Sequence, residues 1–173
     1  MRRPEYVAVV LVMTGLLAAA WTGERRPWLV YNASESAPVG FYLRSAQPAA
    51  IGDYILVRAD SRLGIEAAAR GLVPRGTPLV KRLVAGPGDR VCRHAARLTV
   101  NGDLVAAALG HDRAGRPLPA WSSCVRLHAG ETFLLQDHPR SFDGRYHGPT
   151  PASDLAGRLV RIGSLPRLPG DRP

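Results

Sequence analysis

The residues best suited to chemistry in this chain are one lysine and two serines. Of the 23 Lys and Arg residues only Lys81 is a lysine, so positive charge is otherwise carried by arginine. Arginine cannot lose its proton in a protein, whereas a desolvated lysine amine can, and it then acts as a base. Codon bias toward arginine is the alternative explanation. The neighbours favour chemistry, because Lys81 lies in Pro78–Val84, an apolar run with strand character.

Ser34 and Ser36 stand two residues apart in the turn-rich segment Asn32–Pro38. A serine hydroxyl becomes a useful nucleophile when a neighbouring base accepts its proton, and lysine is a known alternative to histidine as that base. The two serines could instead be ordinary turn residues, since serine is common in turns. The turn therefore indicates a serine–lysine pair only in combination with the lysine segment.

Charge and composition limit the classes of protein that fit. The net charge of +9 is spread along 173 residues without a run of five like charges, and no aromatic–basic surface motif accompanies it. Nucleic-acid binding is therefore disfavoured, and a basic domain near anionic lipid headgroups explains the charge at least as well. The 18 glycines and 15 prolines favour many turns and few long helices.

The first 30 residues are predicted to hold a membrane anchor. Tyr6–Trp21 contains no charged residue and follows Arg2 and Arg3. This apolar run is slightly shorter than the ~17–25 residues of a usual membrane helix, and Trp28–Val30 could extend it at the interface. A cleaved signal peptide is the alternative, because Ala18–Ala20 offers small residues for cleavage. Positive charge flanks both ends, so the positive-inside rule orients the segment only weakly. Export of the remainder is nevertheless the expected topology.

The cysteines agree with export. Cys92 and Cys124 are the only two, and in an oxidising compartment they would most simply form one disulfide. In the chain-entropy model a loop of this size stabilises the fold by roughly 3–4 kcal/mol. Two free thiols in a cytosolic protein are the alternative. Neither the cysteines nor the five scattered histidines have the spacing of a zinc site, so no metal and no cofactor are expected.

After the anchor, turn signals predict short strands joined into an antiparallel, mainly β domain. The clearest element is a hairpin in which the type I′ turn Asn101-Gly102 joins Arg97–Val100 to Asp103–Ala106. An Ala-rich segment that ends at Gly71 predicts one short helix, Ile65–Arg70. The remaining predicted strands are Gly40–Leu43, Gly52–Val57, Thr77–Val84, Cys124–Leu127, Glu131–Leu135 and Leu155–Ile162.

Four segments resemble, in order, the motifs of the serine–lysine signal peptidases, and in particular of their conjugative-transfer, TraF-type branch. They are the nucleophile segment Asn32–Tyr42, the strand Gly52–Val57, the lysine segment Val80–Val84 with Pro87–Asp89, and the closing segment Ser141–Pro149. One such motif is a weak signal, whereas four in order behind a hydrophobic N-terminus are a strong one. The uncharged run predicts an anchor in residues 1–30, and the resemblance implies a signal-peptidase-like domain over 31–165. The tail over 166–173 carries Pro, Gly and charged residues and is expected to be flexible.

The resemblance also implies the catalytic roles. Ser36 would be the nucleophile and Lys81 the general base, with a pKa lowered by desolvation on an apolar strand. Ser34 would donate its hydroxyl to the developing oxyanion beside the backbone N–H of Ser36.

The closing segment would support the lysine. Ser141 matches the serine that orients the lysine amine, and Asp143 with Arg145 matches an ion pair that holds the segment in place. Because Asp143 and Arg145 are two residues apart on chain expected to be extended, their side chains should share one face. Gly144 replaces the serine usual in the housekeeping pattern, which predicts a looser backbone at this point. Ala37 replaces the methionine that follows the classical nucleophile, and this favours the TraF-type branch.

The function implied is that of a single-pass inner-membrane serine endopeptidase whose catalytic domain faces the periplasm. Its partners would be membrane lipid and an exported precursor, the pilin of a conjugative or type IV secretion system, with no nucleic acid. The alternatives are a housekeeping type I signal peptidase, a catalytically inactive secretion-apparatus scaffold and a basic nucleic-acid-binding β-barrel. The sequence leaves open whether water or an amine, in a cyclising reaction, releases the product.

Overall fold

The computed structural model describes residues 13–14 and 28–164 of the chain. Most of the predicted membrane anchor and all of the predicted tail, residues 166–173, lie outside the described residues. Within the described ranges no helix has both the length and the apolar character needed to cross a membrane.

Residues 28–164 form eleven strands, two α-helices and one short 3₁₀ helix. The strands are β1 (Leu29–Asn32), β2 (Gly40–Ser45), β3 (Tyr54–Val57), β4 (Leu79–Ala85), β5 (Arg90–His94), β6 (Arg97–Val100), β7 (Asp103–Ala107), β8 (Ser123–Arg126), β9 (Glu131–Leu135), β10 (Thr150–Pro151) and β11 (Leu155–Gly163). The helices are α1 (Arg62–Ala69), α2 (Gly144–His147) and the 3₁₀ helix Ala152–Asp154.

The strands form two antiparallel sheets. The larger has the order β1-β2-β11-β3-β4-β9-β10 and the smaller the order β7-β6-β5-β8. Every strand pair in both sheets is antiparallel, which confirms the predicted fold class for the described part of the chain. Strand β1 begins at Leu29, so the sheet starts two residues before the predicted domain boundary.

Strand β4 places the lysine inside the larger sheet. It pairs with β3 on one side and β9 on the other, so neither of its edges meets solvent. Leu79, Leu83 and Ala85 pack into the main apolar core on one face, while Val80 packs into a second core on the other face. Because side chains alternate along a strand, Lys81 lies in the same row as Leu79 and Leu83. The apolar pattern of the strand therefore buries the amine.

Two local predictions match the structure closely. Asn101 and Gly102 both have positive φ, 53° and 100°, as the predicted type I′ hairpin turn requires. Helix α1 ends before Gly71, which has the left-handed φ of 69° typical of a glycine that ends a helix. The helix begins three residues earlier than predicted, because the Ser61 hydroxyl caps it by accepting from the Gly64 N–H.

A disulfide joins Cys92 to Cys124, as predicted. The two residues lie directly opposite each other on β5 and β8 of the smaller sheet. The bond therefore closes the long connection that includes the β6–β7 hairpin and the loop after it.

Candidate active site

The turn between β1 and β2 carries both candidate serines and is organised by Asn32. The side-chain amide nitrogen of Asn32 donates to the carbonyl oxygens of Ser34 (2.8 Å), Ala37 (3.0 Å) and Pro38 (3.3 Å). With three acceptors around this nitrogen, Oδ1 faces the other way and accepts from the backbone N–H (3.3 Å) and the hydroxyl (2.9 Å) of Ser34. One buried side chain therefore spans the whole turn.

These contacts fix the direction of the hydroxyl protons. The hydroxyl oxygens of Ser34 and Ser36 are 2.9 Å apart, within hydrogen-bond distance. A serine hydroxyl has one proton to donate, and Ser34 donates its proton to Asn32. Ser36 must therefore be the donor in its bond with Ser34. In this arrangement neither hydroxyl proton is free for another acceptor.

Lys81 is 4% exposed, and its Nζ donates to the hydroxyl oxygen of Ser141 at 3.0 Å. Burial lowers the pKa of the amine from its ordinary 10.5 to about 8; the negative charge of Asp143 opposes this effect and the positive charge of Arg145 adds to it. Neutral amine is therefore present in a useful fraction near neutral pH, which the proposed base needs.

The closing segment forms a buried ion pair behind Lys81. Arg145 Nη1 lies 3.0 Å from Asp143 Oδ2, and both side chains are almost fully buried. The same guanidinium donates to the backbone carbonyls of His138, Ser141 and Gln136. Burial raises the pKa of Asp143, while the charges of Lys81 and Arg145, a backbone hydrogen bond from Arg145 and a side-chain hydrogen bond from Ser141 lower it. Ser141 thus lies between the amine and the ion pair.

The backbone of this segment differs from the sequence expectation. Asp143 and Arg145 pair, but not on extended chain: Asp143 is the N-cap of α2 and accepts from the Arg145 backbone N–H at 3.1 Å. Residues 144–147 turn into a helix because the carboxylate satisfies an otherwise free N–H at its start. The pair therefore forms because the arginine folds back over the capping residue.

Gly144 is enclosed, contrary to the expected loose backbone. A Cβ at this position would lie 2.7 Å from the carbonyl oxygen of Leu134 and 2.9 Å from the Phe133 ring. The absence of a side chain lets the start of α2 approach β9 closely. Glycine at this position therefore tightens the closing segment against the sheet.

Two buried residues without a predicted role also support the site. Gln136 donates from Nε2 to the carbonyl of Val80 at 3.0 Å, next to Lys81, and its backbone N–H donates to Asp143 at 3.0 Å. Arg93, on the smaller sheet, donates from Nη1 to the carbonyl of Arg145 at 2.5 Å. Arg93 is two positions after the buried Val91 on β5, and Gln136 directly follows the buried end of β9, but the partners of both residues are distant in sequence.

Ser34, Ser36 and Lys81 line one cleft with a volume of about 710 Å³. Apolar residues such as Val30, Leu79 and Phe142 form much of its wall. Among the described residues, Ser36 bonds to Ser34 while Lys81 bonds to Ser141, so the two candidate catalytic groups share the cleft without bonding to each other.

One cluster in the described chain has ligand atoms close enough to hold a metal ion. The ligand atoms of Cys92, His94 and Cys124 lie within 4.8 Å of one another. Both sulfurs are used in the disulfide, however, and a disulfide cannot supply the thiolates that zinc requires.

Comparison with known proteins identifies the family to which this chain belongs. Residues 3–162 match the family described as signal peptidase, peptidase S26. The chain therefore belongs to the S26 signal peptidase family, as its motifs predicted. A signal peptidase I from Enterococcus faecalis aligns with a TM-score of 0.40 at 21% identity, covering 67% of this chain and 100% of that one.

Within the family, the similar relatives are conjugative-transfer proteins. A plasmid transfer protein TraF from Escherichia coli is 35% identical over 161 residues, covering 86% of this chain and 85% of the relative. A conjugal transfer protein TraF from Agrobacterium tumefaciens is 34% identical over 155 residues, covering 83% of this chain and 84% of the relative. The prediction of the TraF-type branch is thereby confirmed.

Proposed function

We propose that this chain is a serine endopeptidase in which Ser36 is the nucleophile and Lys81 the general base. The observation that carries the proposal is a buried amine whose pKa is lowered to about 8, in the same cleft as a serine held in an ordered turn. A lysine that served only to supply positive charge could remain at the surface. The burial of Lys81 instead favours its neutral form, which can act as a base. Membership of the peptidase S26 family supports the same chemistry.

The proposed reaction begins with a rotation of the Ser36 hydroxyl from Ser34 toward Lys81. The serine oxygen attacks the carbonyl carbon of the scissile peptide bond as its proton passes to the neutral amine. The resulting ammonium returns that proton to the departing amine, which leaves an acyl-enzyme on Ser36. Lys81, neutral again, then takes a proton from the water or amine that attacks the ester. The ammonium gives this proton to the Ser36 oxygen as the ester bond breaks, which regenerates the serine hydroxyl and the neutral amine.

Ser34 and the backbone N–H of Ser36 are the proposed oxyanion donors. For Ser34 to act, its hydroxyl must turn from Asn32 toward the negative oxygen. Ser141 would keep the Lys81 amine directed into the cleft by accepting one of its protons. Asp143 and Arg145 would hold Ser141 in place through the contacts of the closing segment.

The proposed substrate is the precursor of an exported protein, and the similarity to conjugative-transfer relatives supports the pilin of a conjugative or type IV secretion system. The apolar walls of the cleft suit an extended segment with small or apolar side chains. Cleavage would follow a small residue, and release by an internal amine would give a cyclic product.

Ser36→Ala is expected to abolish cleavage without loss of stability. The substitution removes the attacking oxygen and one hydrogen bond at a half-buried position. Purified full-length protein in detergent would be incubated with a purified pilin precursor, and cleavage would be followed by mass spectrometry of the products. Ser45→Ala, on strand β2, is the matched control and should cleave normally. Cleavage by Ser36→Ala at the wild-type rate would contradict the proposal.

We further propose that residues 1–30 anchor the chain in the inner membrane and that residues 31–165 form the catalytic domain on the periplasmic side. The uncharged run Tyr6–Trp21 supports the anchor, and the disulfide supports an oxidising compartment. The protein should fractionate with inner membranes, and protease added to spheroplasts should digest the domain. Recovery in the soluble fraction without detergent would contradict the anchor.

A further inference from the structure

We propose that Asn32 is a positioning residue for the reaction, because its amide spans the nucleophile turn and sets the directions of both serine hydroxyls. This inference rests on the proposed function of Ser36 and goes beyond it. Asn32 was the first residue of the nucleophile segment in the sequence, with no role assigned to it. It has five hydrogen bonds to the turn, more than any serine in that turn.

The amide nitrogen of Asn32 determines the shape of the turn. Its carbonyl acceptors belong to Ser34 and, on the other side of Ser36, to Ala37 and Pro38. The nucleophile therefore lies between two points that are fixed to the same nitrogen. We call these three hydrogen bonds from the Asn32 nitrogen the bracket. The bracket holds the backbone N–H of Ser36, the proposed oxyanion donor, in one orientation before substrate binds. Fixed donors of this kind cost no reorganisation during the reaction.

The amide oxygen of Asn32 determines the resting state of the hydroxyls. It takes the only proton of Ser34, so Ser34 must accept from Ser36. In the resting state Ser36 thus donates to Ser34 and Ser34 donates to Asn32, which forms a short chain of hydrogen bonds. A negative substrate oxygen can compete with the neutral amide for the Ser34 proton, because hydrogen bonds to charged acceptors are the stronger ones. The Ser34 hydroxyl would therefore turn from Asn32 to the oxyanion when the oxyanion forms.

Only a side chain with both a donor and an acceptor at this position can do both tasks. Aspartate has nearly the same shape, but an ionised carboxylate is an acceptor only. In Asn32→Asp it would face the carbonyl oxygens of Ser34, Ala37 and Pro38 without a proton to donate. The bracket would open while the bond from the Ser34 hydroxyl was retained or strengthened. Both changes work against oxyanion stabilisation.

The chain provides a matched control, since Asn101 is its only other asparagine. Asn101 also binds backbone and side-chain groups, but it lies in the β6–β7 turn of the smaller sheet. Asn101→Asp makes the same chemical change outside the residues that line the cleft. Any general cost of replacing a structural asparagine with aspartate should appear in both variants.

The test compares steady-state cleavage of a peptide that spans the precursor cleavage site, using full-length protein in detergent. Asn32→Asp is expected to lower kcat by about 10–10²-fold, the usual cost of misplacing reacting groups, with KM changed by less than about threefold. Asn101→Asp should keep the wild-type kcat. The rates should be compared on the high-pH plateau, because the carboxylate of Asn32→Asp lines the same cleft as Lys81 and favours the protonated form of its amine.

A double-mutant cycle with Ser34→Ala separates positioning from a general loss of stability. Ser34→Ala alone should lower kcat by about 10²–10³-fold, the usual effect of losing an oxyanion donor. Because Asn32 acts partly through the Ser34 hydroxyl and partly through the backbone of the turn, the double variant should lose more than Ser34→Ala alone but less than the product of the two single losses. Fully multiplicative losses, or a wild-type kcat in Asn32→Asp, would overturn the inference while leaving the proposed function intact. Absence of Ser36-dependent cleavage in the wild type would overturn both.

A second measurement is made on the wild-type protein and does not depend on the folding of Asn32→Asp. Asparagine-selective ¹⁵N labelling gives only two side-chain amide groups, and Asn101→Asp assigns them. The amide protons of Asn32 should exchange with solvent at least about tenfold more slowly than those of Asn101, which is exposed and donates only to Asp89. Equal exchange rates would mean that the bracket does not form, and would overturn the inference.

Discussion

Lys81→Met is expected to abolish substrate cleavage while raising the stability of the chain at neutral pH. Methionine fills a similar volume in the row between Leu79 and Leu83, but it cannot accept the proton of Ser36. It also removes the cost of a buried charge. A fall in the lysine pKa from 10.5 to about 8 corresponds to roughly 3 kcal/mol for the charged amine. Cleavage assays and urea unfolding at pH 7 would measure the two effects.

The same pKa shift predicts the direction in which the stability of the wild-type chain changes with pH. The folded-state pKa of Lys81 is depressed below its unfolded value, so between about pH 8 and 10.5 the unfolded chain binds more protons than the folded one. Wild-type stability attributable to Lys81 should therefore rise with pH across that window. Lys81→Met should lack this rise. The wild-type cleavage rate should also increase as pH passes through about 8, because the neutral amine is the base.

Lys81→Arg is expected to be inactive as well, because a guanidinium cannot accept the serine proton. At neutral pH it should be less stable than Lys81→Met, since it buries a larger and permanent charge. Arg82→Met is the matched control: Arg82 is the next residue on β4, is partly exposed and bonds to Gly52 and Asp137 rather than into the cleft. It should cleave at the wild-type rate. Substantial cleavage by Lys81→Met would remove Lys81 from the mechanism.

Asp143→Ala is expected to cost about 3–5 kcal/mol of unfolding free energy, the usual effect of leaving a buried partner charge uncompensated. Arg145 would keep its contacts to backbone carbonyls but lose the carboxylate 3.0 Å away. The cap of α2 and the acceptor for the Gln136 N–H would also be lost. Because Ser141 lies between this pair and Lys81, cleavage should fall too. Urea unfolding and kcat, measured below the melting transition, would quantify both.

Asp137→Ala is the control for that loss. Asp137 is a nearby carboxylate of the same connection, but it is 84% exposed and pairs with the partly exposed Arg82. Removal of a surface pair of this kind should change stability by less than about 1 kcal/mol and leave kcat unchanged. Equal effects of Asp137→Ala and Asp143→Ala would show that the buried pair has no special role in the closing segment.

The fold class was accessible from sequence because its signals are local. Turn chemistry at Asn101-Gly102 and Gly71 and the apolar run around Lys81 determine where the chain reverses and which strand is buried. The elements that were missed depend on partners elsewhere. Strand β1 borders the proposed anchor and is identified by its pairing with β2, and α2 is a single turn that depends on the cap supplied by Asp143.

The identities of the candidate site residues were accessible for a different reason. Ser36 and Lys81 belong to motifs with a fixed order, so resemblance could propose them without knowledge of distances. The support of Lys81 could not be found in that way. Gln136 and Arg93 act through carbonyl groups 56 and 52 residues away in sequence, and a carbonyl group is present at every position of the chain. Sequence therefore proposes the reacting groups more readily than the residues that hold them.

Covalent trapping of the nucleophile tests the central claim most directly. Full-length protein in detergent would be treated with a fluorophosphonate, which forms a stable bond with an activated serine, and the labelled peptide would be identified by mass spectrometry. We expect one adduct, on Ser36, at a rate that increases with pH through about 8, and no comparable labelling in Lys81→Met. Labelling of another residue with Ser36 unmodified, or labelling of Lys81→Met at the wild-type rate, would contradict a Ser36–Lys81 mechanism.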